Sequence, residues 1–330
     1  MSPKVSVIIP AYGHAGVIGQ TLDSVLAQSF QDFEIVIVND GSPDDTAGAV
    51  ADYLSDERVR YVEQPNGGQA SARNHGLRLA RGVYLAYLDD DDLWPTDKLA
   101  WQVELLDQHP DAGFVYGCQV CFFPDGREAE DHTKGRSGDL YERMLDHCFI
   151  KSPGQVLFRA DAVRAAGGWD ESIRGSDDWD LYLRMLKSST CVGSRRVALR
   201  YRLHGTNASH NGWVMAKSCR RVLVKHLGLW PKRQPLRWAR RWVWHSRFWG
   251  QRIHDQARAA ARSGDRRAAF RQTVLAVRAD PLSLFRPATV KTLGTLVAGS
   301  SQRSADAADT PATGSGSTVV ASAGGDRRDG

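Results

Sequence analysis

Cysteine is scarce and long apolar runs are missing from this chain of 330 residues. Its five cysteines, Cys118, Cys121, Cys148, Cys191 and Cys219, are scattered and odd in number. That argues against a disulfide framework and suits a reducing compartment. Cys118 and Cys121 make a CxxC, yet no second pair follows. On a strand, residues three apart face opposite ways, so zinc is not expected there. No stretch approaches the ~20 apolar residues of a membrane-spanning helix. No basic segment followed by an apolar one opens the chain, so the expected location is the cytoplasm, without a secretory leader. Two nucleotide signatures are missing as well: GxGxxG, which would suggest a dehydrogenase, and GxxxxGK[ST], which would suggest a P-loop enzyme.

What the chain does carry is charge, unevenly placed. Between Lys217 and Arg271 stand sixteen Lys and Arg against two acids, Asp255 and Asp265, while the remainder is net acidic. Two functional parts are expected, the basic one C-terminal. Upstream, the apolar runs VSVIIPA, FEIVIVN, VRYVE and VYLAYL alternate with helix-like segments over 17–26, 47–54 and 70–80. This alternation predicts right-handed crossovers and an α/β fold, a mostly parallel central sheet with helices on both faces. Ligands bind such sheets beyond the carboxyl ends of the strands, so Tyr12, Asn39-Asp40 and Asp89 to Asp92 are expected to converge on one edge. A helix over 98–108, a strand in GFVYGCQVCFF, a polar loop over 124–138, a strand in QVLFR, a helix over 176–186 and a strand in VALRYRLHG complete a domain of residues 1–211. Residues 212–299 form a basic Trp- and Arg-rich helical region. Within it, 236–262 reads as one helix with Trp238, Trp242, Trp249, Ile253, Ala257 and Ala260 along a stripe, and 266–278 as the second arm of a hairpin. Residues 300–330 hold almost no large apolar side chain and are predicted to be disordered.

The stretch YLAYLDDDDLW, residues 84–94, poses a chemical question. Four adjacent carboxylates repel one another, and each resists desolvation. One answer is a solvated acidic turn in which Asp92 or Thr96 caps the next helix. The other is a site for Mg²⁺ or Mn²⁺, cations that take carboxylate oxygens and complete their shell with substrate phosphates. A second pair, Asp177-Asp178, opens the helix DDWDLYLRML. A helix N-terminus stabilises a carboxylate, so a capping acid and a catalytic acid both remain open there.

Five segments in order, VSVIIPAY, IVIVNDGSPDDT, NGGQASARNHGL, YLAYLDDDDLW and GGWDESIRGSDDWDLYLR, resemble family 2 of the inverting glycosyltransferases over residues 4–210. The resemblance implies the GT-A nucleotide-sugar fold. It implies that Pro10, Ala11 and Tyr12 form part of the nucleotide-base pocket, with Tyr12 able to stack on a base, and that Asp40 hydrogen-bonds the base, commonly uracil. Asp89 and Asp91 match the DxD pair, with Asp90 between them in the nucleotide-sugar site and Asp91 as the metal ligand. Asp178 matches the catalytic base, although the family usually has Glu-Asp where this chain has Asp177-Asp178. His204 stands where many members have a histidine near the metal or the phosphates. Arg73 is expected to face the diphosphate or the acidic cluster, or to be a structural ion-pair partner. Tyr12, Asp40 and His204 have structural readings too, and Trp94 either lines the sugar pocket or packs.

The implied activity is metal-dependent transfer of one sugar from a nucleoside-diphosphate sugar, with UDP favoured, to a hydroxyl of a glycan or lipid-linked acceptor, as in cell-surface polysaccharide biosynthesis. The QxxRW motif and membrane spans of the processive members are missing, which favours transfer of a single sugar. Two rivals stand beside this reading. A nucleotidyltransferase or sugar-nucleotide pyrophosphorylase would want a basic phosphate loop after the first strand, and PAYGHAGVIG has no Lys or Arg. In a non-catalytic nucleotide-sugar binding module, Asp178 would only cap its helix. The basic region is expected either to pack on the catalytic domain or to make a peripheral contact with an anionic membrane through 217–271. Nucleic acid is not expected, because no recognition motif accompanies the charge.

Overall fold

The computed structural model describes residues 2–123, 127–131, 135–204, 211–228, 235–281 and 283. The tail read as disordered, 300–330, lies outside the described residues. Strands β1 (Val5–Ala11), β2 (Phe33–Asn39), β3 (Val59–Glu63) and β4 (Tyr84–Tyr87) run parallel in the spatial order β3-β2-β1-β4. Every residue of β1 and β2 is buried, as befits strands covered on both faces. Their pleat sorts side chains between two cores. Val5, Val7, Ile9, Ile35 and Ile37 meet α1 (Ile18–Leu26) and α4 (Lys98–Gln108) on one face. Ile8, Leu85 and Tyr87 meet α3 (Gln69–Leu79) and α7 (Asp177–Met185) on the other.

Helix α3 seats tightly on β1. A Cβ added at Gly76 would lie 2.3 Å from Ile8 Cγ2, so only glycine lets the helix come this close. Replacing Gly76 with Ala is expected to cost about 1–3 kcal/mol through overpacking, read as a Tm lowered by several degrees. A Tm at or above that of the parent would show slack at this contact.

Beyond β4 the sheet turns mixed. Strand β7 (Val156–Arg159) lies antiparallel to β4, and β5 (Ala112–Phe122) antiparallel to β7. β8 (Thr190–Arg202) runs parallel to β5 along one edge, while β6 (Glu128–Asp131) extends the other edge antiparallel. β6 falls where the sequence suggested only a polar loop. Its Glu-Ala-Glu-Asp run has poor strand propensity, and pairing with the free edge of β5 overrides that preference. Two helices, α2 (Thr46–Val50) and α6 (Ala160–Ala165), are short connectors.

Three helices follow the sheet: α8 (Gly212–Leu227), α9 (Pro235–Arg262) and α10 (Arg266–Ala279). The α9–α10 hairpin matches its expected bounds within a residue or so. Helix α8 lies in the region expected to be helical, though its bounds were not read; its buried face mixes Gly212, Ser218 and Cys219 with Val222 and Leu223, too few large apolar residues to mark a period. Of the expected stripe on α9, Trp249, Ile253 and Ala257 are buried, whereas Trp238 and Trp242 are half-buried. Arg241 and His245 share the buried face, and Arg241 pairs with Asp146 at 2.7 Å and Glu142 at 2.8 Å on α5 (Tyr141–Asp146). The Arg stem packs while its head is neutralised, so a basic residue can occupy a core position.

Candidate active site

Parallel strands β1, β2 and β4 end on the same side of the sheet, and the next residues of each form the site. Pro10 and Ala11 are themselves inside β1 and buried, and the Ala11 carbonyl accepts the Asp40 N–H at 3.0 Å. Only Tyr12 of that trio emerges, its side chain among the more exposed large hydrophobics at 49 %. Asp40 is buried and holds the following loop: Oδ1 accepts from Gln64 Nε2 at 2.7 Å and Gly67 N at 2.8 Å, and Oδ2 from Gly68 N at 2.8 Å. Gly68 has φ +87°, which a side-chain-bearing residue rarely adopts. The turn thus needs glycine to deliver its N–H and to start α3.

The four acids in a row do not face one another. They fan out to different partners. Asp89 Oδ1 accepts from Arg73 at 2.8 Å and from Gln69 at 2.8 Å. Asp90 takes the Tyr12 N–H at 2.7 Å and pairs with His14 Nδ1 at 2.8 Å. Asp91 Oδ2 lies 2.6 Å from His204 Nε2. Asp92 is fully buried and accepts the Arg202 N–H at 2.8 Å through Oδ1, with Oδ2 unpartnered. Burial, then the charges of Asp91 and Asp89, push the Asp92 carboxyl well above its ordinary range. That shift favours the neutral form of one acid of the row and eases the repulsion the sequence implies. Asp92 does not cap α4; that helix begins after Asp97. Trp94 is 3 % exposed, donates its indole N–H to the Gly154 carbonyl at 3.0 Å and carries the Lys98 ammonium 3.8 Å from its ring centroid. It packs.

Arg73 joins the two acidic segments. It is 2 % exposed and reaches Asp89 with one terminal nitrogen and Asp177 with the other, at 2.8 and 2.9 Å. Burial opposes its charge, but Asp89 and Asp177 more than offset that and hold the guanidinium protonated. Of the roles expected for it, the geometry places it against the acidic cluster as an ion-pair partner. The next residue after Asp177 is Asp178, at the first turn of α7, with Oδ1 accepting the Trp179 N–H at 2.7 Å. Burial pushes the Asp178 carboxyl up, the neighbouring Asp177 charge adds to this, and the Trp179 N–H and Arg73 only partly offset them, leaving it at about 7. A carboxylate near neutrality can accept a proton and release it again, which suits general-base work. Asp180, the weaker candidate on this helix, is fully buried and bound to His226 at 3.0 Å, Lys225 at 2.9 Å and Arg184 at 2.8 Å. It ties α7 to α8. Helix α9 supports α7 from behind, with His245 stacked on Trp179 at 5.0 Å between ring centroids.

His204 follows β8 and is steered to the acids by backbone contacts. Leu93 and Arg200 form a β-bridge, and Arg202 Nε donates to the Asp91 carbonyl at 2.7 Å. His14, which none of the motifs above includes, arrives from the turn after β1. Among the described residues, His14, Asp91 and His204 each offer a ligand atom, and these atoms lie within 4.8 Å of one another. One carboxylate and two imidazoles make a donor set that fits a divalent cation. The hydrogen bond to Asp90, opposed by burial, raises His14 to about 9, so a cation taking that ring as ligand would displace a proton. Position two residues beyond Tyr12, at a strand's carboxyl end, was the available sequence signal for His14.

Comparison with known proteins gives the family and the fold. The profile described as Glycosyl transferase family 2 matches residues 6–167. TuaG of Bacillus subtilis, named as a teichuronic acid biosynthesis glycosyltransferase, is 33 % identical over 219 residues, spanning 65 % of this chain and 85 % of TuaG. Among solved structures, S. aureus TarS in complex with UDP-GlcNAc superposes with a TM-score of 0.57 at 17 % identity, over 83 % of this chain and 91 % of TarS residues 1–349. The mannosyltransferase PcManGT from Pyrobaculum calidifontis, in complex with GDP-Man and Mn2+, gives 0.55 at 21 % identity, over 93 % and 88 % of the two chains. At such identities the structural likeness speaks to the fold alone.

Proposed function

The chain belongs to glycosyltransferase family 2, and from that premise we propose that it transfers one sugar, with inversion, from a UDP-sugar to a hydroxyl of a glycan or lipid-linked acceptor in cell-surface polysaccharide synthesis. The observation that supports the reading is the Arg73 bridge, which ties Asp89, the first acid of the DxD pair, to Asp177, the neighbour of Asp178. Tyr12 offers an exposed ring for the base. Asp91 and His204 would hold Mg²⁺ or Mn²⁺. A cation there supplies positive charge against the diphosphate as it leaves. Asp178 takes the proton of the acceptor hydroxyl; the hydroxyl oxygen bonds to the anomeric carbon while the bond to the diphosphate oxygen breaks. A single displacement inverts the centre, and no enzyme carboxylate becomes a nucleophile.

The test is a panel of UDP-, GDP- and dTDP-sugars with and without Mn²⁺ or Mg²⁺. Release of free UDP from a UDP-sugar is the expected result. Release of pyrophosphate would instead indicate nucleotidyl transfer, and binding without any release would indicate a binding module.

The reading extends to a peripheral contact with anionic lipid. Among the described residues no helix is long and apolar enough to cross a membrane. The outer face of α9 exposes Val243, Trp244 and Phe248, at 40, 40 and 37 %, flanked by Arg240, Arg247 and Arg252. Aromatic rings between arginines suit a headgroup interface. Each basic residue near an anionic surface is worth about 1 kcal/mol. Arg240→Glu with Arg247→Glu is therefore expected to weaken binding to phosphatidylglycerol vesicles by well over tenfold, measured by co-sedimentation. Unchanged binding would end this part of the reading.

A further inference from the structure

Three observations meet at the His14 ring. A ring nitrogen lies within 4.8 Å of the ligand atoms of Asp91 and His204, and the two imidazoles stand edge to face with centroids 5.4 Å apart. His14 Nδ1 is 2.8 Å from Asp90 Oδ1, and Asp90 is buried and anchored by the Tyr12 N–H. Pairing one imidazole nitrogen with a fixed carboxylate sets the tautomer and strengthens the other nitrogen as a donor to metal. Finally, the acids on either side are already engaged: Asp89 by Arg73 and Gln69, Asp92 by the Arg202 N–H. The carboxylate that faces both rings is Asp91, whose Oδ2 lies 2.6 Å from His204 Nε2.

We propose that His14 is the third protein ligand of the cation site, beside Asp91 and His204, and that this two-imidazole, one-carboxylate set selects Mn²⁺ over Mg²⁺. The proposal rests on the reading above that a cation is held at Asp91. Mg²⁺ holds to oxygen ligands and sheds water reluctantly; Mn²⁺ also favours oxygen but, as a first-row transition cation, accepts imidazole nitrogen more readily. Once a cation has displaced the proton that His14 otherwise carries, one carboxylate and two neutral rings leave it positively charged overall, ready for an anionic diphosphate. Three protein ligands also leave coordination positions open for it.

The experiment uses the full chain and the metal alone. Free Mn²⁺ is counted by its electron paramagnetic resonance signal, with Mg²⁺ as competitor, and imidazole nitrogens on bound Mn²⁺ are detected by electron spin-echo modulation. The parent chain is expected to keep its Mn²⁺ in a tenfold excess of Mg²⁺ and to show two coordinated imidazoles. His14→Ala and His14→Gln are expected to weaken Mn²⁺ binding by about 10–100-fold, to leave one imidazole signal and to lose the preference over Mg²⁺. His14 is partly exposed, and each variant's melting curve checks that it folds. If both variants bind Mn²⁺ as the parent does while Asp91→Asn does not, the site stands and His14 as ligand is overturned. If the parent chain binds no Mn²⁺, the His14 proposal and the cation reading fail together.

Discussion

Asp178→Asn is expected to lower kcat by about a thousandfold, within the ~10²–10⁴ range of general acid–base catalysis, while UDP affinity stays within a few-fold. The reason is geometric. Asp178 sits at the first turn of α7 with one oxygen on the Trp179 N–H, and Asn keeps that acceptor but cannot take a proton. The pH dependence follows from the shift. The base works only when deprotonated, and its carboxyl is raised from the usual carboxylate range to about 7, by burial and then by Asp177. For the parent enzyme, kcat/KM should therefore climb as pH rises through about 7 and level off above it. Asp177→Asn removes the adjacent negative charge and should move that limb to lower pH. Calorimetry with UDP and pH profiles of steady-state rates check both points. Full turnover in Asp178→Asn, or a limb that ignores Asp177→Asn, would remove Asp178 as the base.

Arg73→Met is expected to be the most damaging change to the fold. It deletes the cation shared by Asp89 and Asp177 and leaves buried Asp177 and half-buried Asp89 without it. Breaking a buried pair in this way costs about 3–5 kcal/mol, which for a domain of this size lowers Tm by roughly 10 °C. Arg73→Lys should recover little, because one ammonium cannot span two carboxylates as the guanidinium fork does. Adding Asp177→Asn to Arg73→Met should recover part of the loss, since one stranded charge is removed. Thermal melts of the three variants are the measurement. A melt of Arg73→Met indistinguishable from the parent would mean the bridge contributes nothing.

Much of this architecture was legible in the chain. The runs VSVIIPA and FEIVIVN are buried along their whole length because parallel strands are covered on both faces, and that produces an unbroken apolar signal. The helix over 98–108 was readable to the residue. The hairpin of α9 and α10 was readable because Gly264-Asp265 interrupts a long helical period. Less was legible where neighbours decide. β6 is a strand only because β5 offers an edge. The direction of β7 has no side-chain signature, so a mixed sheet was not foreseen. The outer Trp244–Phe248 face of α9 was masked by the equally aromatic inner one.

The order and spacing of its residues alone determined that this chain builds an α/β sheet, that its acids follow β4 and open α7, and that a basic helical part trails behind. Those properties are local: side-chain period, turn chemistry and charge are written in consecutive residues. Tertiary structure alone decided what each acid of the row does. It gave Asp89 to Arg73, Asp90 to His14, Asp91 to His204 and Asp92 to a backbone N–H of β8. Those partners come from three separate stretches of chain. A carboxylate's charge and reactivity depend on what lies within a few ångströms, and only folding brings such groups together.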